Sequence, residues 1–130
     1  MTAAQNRYTV LVVDDDPSVL STYRRLLGRC GYNAMTHGDP LGVLESGPDA
    51  ADLILLDYKM PGMDGLTLLA ELRQRKCRAR CILVSAYLNE DVRLKAQSLG
   101  VDRVLEKPVD VGLLRSVLAD LLSEECDAAG

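Results

Sequence analysis

Five short apolar runs alternate with five segments of helical periodicity, and that alternation leaves few folds open to this chain. The runs are YTVLVV (8–13), a weaker stretch at 33–36, LILLD (53–57), RCILVS (80–85) and RVLEK (103–107). Continuous apolar strands of this kind are buried on both faces, as in a parallel sheet. Asp16-Pro17 and Asp39-Pro40 each place a capping carboxylate before a proline suited to the first helical position. Val19, Tyr23, Leu26, Leu27 and Cys30 then recur at helical spacing, and Gly31 stands where that helix would end. The second helix is short and stops near Gly47-Pro48, and the third covers residues 66–75. The fourth begins at Asn89, turns Val92, Ala96 and Leu99 inward and ends at Gly100. Asp110 caps the last, with Val111, Leu114, Val117, Leu118 and Leu121 on one face. Five strand–helix repeats predict an α/β protein: a doubly wound (βα)5, flavodoxin-like sandwich with right-handed crossovers.

In such a sheet all strands end at one edge, where ligands bind at the topological switch point. Asp14, Asp15 and Asp16 follow the first strand, Asp57 ends the third, Ser85 the fourth and Lys107 the fifth. Asp16 reads as a helix cap. The others converge as carboxylates, one hydroxyl and one ammonium. A buried ionised carboxylate is costly unless paired or coordinated, and packed carboxylates raise one another's pKa unless a cation is present. Asp14, Asp15 and Asp57 with Lys107 leave two negative charges, which one divalent ion cancels. Oxygen ligands without His or Cys select a hard ion, here Mg²⁺ with Mn²⁺ as a substitute. A carboxylate neutralised in this way is able to attack a phosphoryl group whose oxygens Lys107 and Ser85 then hold.

Composition narrows the partners. The chain has 130 residues, which is one domain by length, and a net charge of -4, which argues against nucleic acid or an anionic membrane as the main partner. It has no Trp and no Phe, so Leu, Val, Ile and Ala must build the core. No run approaches the roughly 20 apolar residues of a membrane span, and MTAAQNRYTV lacks a signal-peptide core, so a cytoplasmic protein is expected. Cys30, Cys77, Cys81 and Cys126 lack zinc-ligand spacing and read as free thiols, Cys81 within a strand and Cys126 in a tail. The run RQRKCRAR gathers Arg73, Arg75, Lys76, Arg78 and Arg80 at a helix end, by default a solvated terminus that complements the helix dipole. A docking patch for an acidic partner is the alternative. His37, the only histidine, is expected in the loop after the second strand and is given no role.

The motifs VVDDD, DYKMPGMDG, VSA and EKP, in that order, resemble those of response-regulator receiver domains in two-component signalling. The resemblance covers residues 8–122, leaving 1–7 as an N-terminal extension and 123–130 as a tail or the start of a linker. It implies a strand order of 2-1-3-4-5. It also implies that Asp57 accepts a phosphoryl group from a sensor histidine kinase or a histidine phosphotransfer protein. Asp15, Asp57 and the backbone carbonyl of Lys59 would ligate Mg²⁺, with Asp14 acting through water. Ser85 would turn towards the phosphoryl group, Ala86 would leave it room, and Lys107 would pair with it. A cis Lys107-Pro108 bond is implied too. Such a domain is a switch that phosphorylates and dephosphorylates itself and is no turnover enzyme. Its downstream partner is another protein or an output domain not present here, with dimerisation through the face of the fourth helix, fifth strand and fifth helix.

The chain departs from the family where most receivers carry a Tyr or Phe three residues before the lysine: here it is Val104. The aromatic displacement that usually reads out phosphorylation is therefore not available. Lys59 and Tyr87 occupy variable positions expected to flank the phosphoryl group, and a ring at Tyr87 would obstruct an attacking water and prolong the phosphorylated state. An aspartate-nucleophile phosphatase would need a second acid at residue 59, which is Lys. A flavodoxin would need a phosphate-cradling loop where this chain has three acids.

Overall fold

The structure, a computed structural model, describes residues 8–47 and 50–122. The expected N-terminal extension, Pro48, the tail and Cys126 lie outside the described residues. The elements alternate as β1 (Thr9–Val13), α1 (Pro17–Arg29), β2 (Asn33–His37), α2 (Pro40–Ser46) and β3 (Leu53–Asp57). Then follow α3 (Gly65–Gln74), β4 (Arg80–Ser85), α4 (Glu90–Ser98), β5 (Arg103–Glu106) and α5 (Val111–Leu122). All strand pairs are parallel and the order is β2-β1-β3-β4-β5, so the chain reverses direction of growth between β1 and β3.

Strand periodicity divides the core between two faces. Leu11, Val13, Ile54, Leu56, Cys81 and Leu83 pack with residues of α2, α3 and α4. Val10, Val12, Leu53, Leu55, Ile82 and Val84 pack with α1 and α5. All five β3 residues are buried, as a central strand covered on both sides requires.

Local chemistry sets the element ends. Asp16, Asp39, Asp64 and Asn89 each accept a backbone N–H in the first turn of the helix that follows. Asp110 does the same for Leu113 at the start of α5. At the opposite edge of the sheet, Asp52 accepts the Thr9 N–H at 2.8 Å and Asp102 accepts the Cys81 N–H at 2.9 Å. These two carboxylates satisfy strand-end donors that the ladder leaves over.

Several expectations need correction. His37 is the last residue of β2 rather than part of the following loop, since it pairs in register with Val13. Lys107 lies one residue past β5. Val111 is 52% exposed, because the inward stripe of α5 starts one turn later at Leu114. Arg73 is no solvated terminus. Its guanidinium donates to the carbonyls of Leu99, Cys77, Ala79 and Gly100, tying the end of α3 to the end of α4. Arg75 donates to the Leu44 carbonyl and Arg80 pairs with Asp102 at 3.5 Å. Cys77 and Cys81 are free thiols, as expected, and Cys81 lies within β4. No helix among the described residues is long and apolar enough to cross a membrane.

Candidate functional site

The acidic edge assembles because β1 and β3 are neighbours and end in step, Val13 beside Leu56. Asp14 follows β1 directly and Asp57 is the last residue of β3; both are buried, at 4% and 5% exposure, while Asp15 faces solvent. One carboxylate oxygen from each lies within 4.8 Å of the others. The lysine comes from two strands away. Its main chain is fixed by a 2.9 Å bond from the Lys107 N–H to the Ser85 carbonyl, and the Lys107-Pro108 peptide is cis. Its Nζ lies 2.8 Å from Asp57 Oδ1 and 3.9 Å from Asp14 Oδ2.

Burial pushes the Asp57 carboxyl above its usual 3.8, although the Lys107 hydrogen bond and charge pull it down. Asp14 is raised as well, chiefly by burial and further by the charge of Asp57, against a hydrogen bond from the Asp16 N–H. For Lys107, burial opposes the charged form, but the hydrogen bond and charge of Asp57 together with Asp14 outweigh it and hold the pKa up. Asp16 is a cap: its carboxylate accepts from the Ser18 hydroxyl and N–H, which lower its pKa.

The loop after Asp57 is shaped by its glycines. Gly62 has φ +87°, a conformation other residues adopt only with strain. Gly65 donates to the Tyr58 carbonyl at 2.7 Å, and a Cβ there would collide with the Asp57 carbonyl. The second Asp-Gly of DYKMPGMDG thus divides its work: Asp64 caps α3, and Gly65 lets that helix start against the phosphoacceptor candidate. Lys59 is exposed in this loop.

Ser85 is buried at 2%, one residue beyond Val84, the register partner of Asp57. Its Oγ donates to the Tyr87 carbonyl at 2.7 Å and accepts from the Tyr87 N–H at 3.1 Å. Ala86 and Tyr87 are exposed, Tyr87 by 74%. Val104 is half-buried against the α4-side core. Tyr23 on α1 reaches this neighbourhood too. Burial raises its phenol, and the charge of Asp14 adds to that effect. The helical stripe placed Tyr23 on the inward face of α1, but its nearness to Asp14 depends on how α1 docks on β1.

Three carboxylates, Asp14, Asp15 and Asp57, offer oxygen-only donors with one exposed member, a set that fits a hard divalent cation.

Residues 10–119 match the family described as the response regulator receiver domain. The chain is similar to the DNA-binding transcriptional regulator NtrC of Escherichia coli (strain K12), with 36% identity over 106 residues, covering 81% of this chain and 23% of the relative. It is similar to the alkaline phosphatase synthesis transcriptional regulatory protein PhoP of Bacillus subtilis, with 32% identity over 76% of this chain and 42% of the relative. The chain thus spans less than half the length of these relatives. Among solved structures, response regulator protein TrrA of Thermotoga maritima in complex with Mg(2+)-BeF is 30% identical with a TM-score of 0.76, covering 88% of this chain and 98% of that one. Chemotaxis protein CheY4 of Vibrio cholerae shares the fold at 23% identity and a TM-score of 0.82, covering 88% and 98%.

Proposed function

This chain belongs to the response regulator receiver family, and on that premise we propose that it is a phosphorylation-controlled switch with Asp57 as phosphoacceptor. The observation that carries the reading is the buried Asp57 held 2.8 Å from Lys107 beside Asp14 and Asp15. An Asp57 oxygen attacks the phosphorus of a phosphohistidine on a sensor histidine kinase or a histidine phosphotransfer protein. The P–N bond breaks, its electron pair returns to the imidazole nitrogen, and an acyl phosphate forms on Asp57. Lys107 then transfers its hydrogen bond from the carboxylate to a phosphoryl oxygen. Mg²⁺, or Mn²⁺ in its place, supplies positive charge to the phosphoryl oxygens when held by Asp15, Asp57, the Lys59 carbonyl and, through water, Asp14.

The acyl phosphate is the stored signal, so the chain acts as a switch and not as a turnover enzyme. Its output goes to a partner protein or to an output domain linked to it, in the cytoplasm. Dimerisation through α4, β5 and α5 is supported by Leu94 and Leu113, exposed by 55% and 49% on α4 and α5.

The test is intact-mass analysis after incubation with acetyl phosphate, with and without Mg²⁺, on wild type and Asp57→Asn. One phosphoryl adduct that requires both Mg²⁺ and Asp57 is the expected result. No adduct under any condition, with the fold intact, refutes the switch chemistry and leaves an interaction module.

A further inference from the structure

We propose that the basic cleft where β3, β4 and β5 begin docks an extended acidic segment of a partner protein, at the opposite edge of the sheet from Asp57. The cleft has a volume of about 740 Å³ and is lined by Arg73, Lys76, Arg78 and Arg80 together with Asp52 and Asp102. Four cations against two carboxylates leave +2 there, on a chain whose net charge is -4. The length of β4, roughly 17 Å, separates it from the acidic edge.

The cations differ in what already engages them. Arg73 donates to main-chain carbonyls and Arg80 pairs with Asp102 at 3.5 Å. Lys76 and Arg78 are exposed, and among the described residues neither side chain has a hydrogen bond or ion pair. Their main chain is nevertheless fixed. The N–H groups of Lys76 and Cys77 donate back to the carbonyls of Arg73 and Leu72, each at 3.0 Å, and the Arg73 guanidinium holds the carbonyls of Cys77 and Ala79. Cys77, Ala79 and Cys81 are buried, so Arg78 and Arg80 alternate to the outer side. Lys76 follows the α3 C-cap Arg75 and is the single non-glycine among the described residues with positive φ, +67°, at a position where glycine is the unstrained choice. A lysine held in a strained conformation beside a cleft fits a position whose charge is used.

The chemistry of the lining selects the occupant. Asp102 serves the Cys81 N–H and Arg80, while Asp52 gives one oxygen to the Thr9 N–H and keeps a second. A compact phosphate ligand carries acceptors only and meets these carboxylates with repulsion. A peptide brings carboxylates for Lys76 and Arg78 and main-chain N–H donors for Asp52. In an extended segment, acidic side chains two residues apart face one side at a spacing of about 6.6 Å, the same two-residue repeat that Arg78 and Arg80 follow. The chain's overall negative charge repels a long polyanion such as nucleic acid. A short segment feels chiefly the charges within about 10 Å, and in the cleft those sum to positive.

The test is fluorescence anisotropy of a fluorescein-labelled peptide of Glu-Gly repeats, titrated with the full chain at low ionic strength. Neither phosphodonor nor Mg²⁺ is present, so the outcome is independent of the switch chemistry. Wild type binds the peptide and raised salt releases it. Lys76→Gly combined with Arg78→Gln weakens binding about tenfold, the loss of two exposed ion pairs. Glycine removes the strain along with the charge, so the Tm of this variant does not fall, which separates lost docking from a lost fold. Arg25→Gln combined with Arg29→Gln removes the same charge from exposed positions on α1 and binds as wild type does. Absence of binding to wild type overturns the proposal. Equal weakening by the α1 pair also overturns it, by reducing the attraction to net charge. Pyrophosphate that displaces the peptide at lower concentration than unlabelled peptide does overturns the peptide in favour of a phosphate ligand.

Discussion

Replacing Arg73 with Met tests whether the basic run at the end of α3 is a solvated terminus or a structural tie. Met keeps an unbranched apolar stem like that of Arg and lacks the guanidinium. Four carbonyls lose a donor: Ala79 at 2.8 Å, Leu99 and Cys77 at 3.0 Å, and Gly100 at 3.3 Å. A hydrogen bond from a charged donor contributes roughly 1.5–3 kcal/mol when buried. Arg73 is half-buried, so water replaces part of each bond, and about 1 kcal/mol for each of the three part-buried carbonyls is the appropriate figure. The long, exposed bond to Gly100 adds nothing. The expected loss is therefore about 3 kcal/mol, out of a total stability of roughly 5–15 kcal/mol. At roughly 4 °C per kcal/mol for a domain of this size, Tm falls by about 12 °C. Urea unfolding followed by circular dichroism gives the free energy directly. Arg73→Lys should recover less than half of the loss, since one ammonium does not span carbonyls on two elements. A loss under about 1 kcal/mol with an unchanged m-value would refute the tie and restore the solvated-terminus reading.

Other consequences concern the site. Asp14 has its pKa raised by burial, so it binds its proton more tightly folded than unfolded; its stability contribution is full below 3.8 and lost as pH rises through the raised value. Asp14→Asn keeps an oxygen for the Asp16 N–H and should therefore be more stable than wild type at pH 7 in EDTA, with the gap closing near pH 4; a less stable variant at pH 7 would contradict this. Mg²⁺ should stabilise wild type, by about 2.7 kcal/mol at one hundred times its dissociation constant, and Asp14→Asn by less; equal thermal shifts would count against the carboxylate site. Gly65→Ala should abolish acetyl-phosphate labelling or unfold the start of α3, because the new methyl meets the Asp57 carbonyl; normal labelling with unchanged Tm would show that the loop yields freely. Tyr87→Ala should speed decay of the phosphorylated form, and a tenfold acceleration would correspond to about 1.4 kcal/mol in the barrier; an unchanged decay rate would remove the ring as an obstruction to water.

The sequence by itself determined the order and type of the elements, because strand runs, helical stripes and Asp-Pro or Asn caps are local signals. It also placed Asp14, Asp15, Asp57, Ser85 and Lys107 at one edge, since parallel strands must end together. What it did not contain were pairings set by how elements dock. Arg73 looked like any cation at a helix end until α4 ended beside it. His37 looked like a loop residue until register with β1 extended the strand to include it. Ser85 was legible as a hydroxyl at the site, but its proton's present acceptor, the Tyr87 carbonyl, is set by the turn after β4. Periodicity and capping act over a few residues and are written in composition. The partners of a long side chain or a buried hydroxyl are chosen by packing across the whole sheet, and only the tertiary structure decides them.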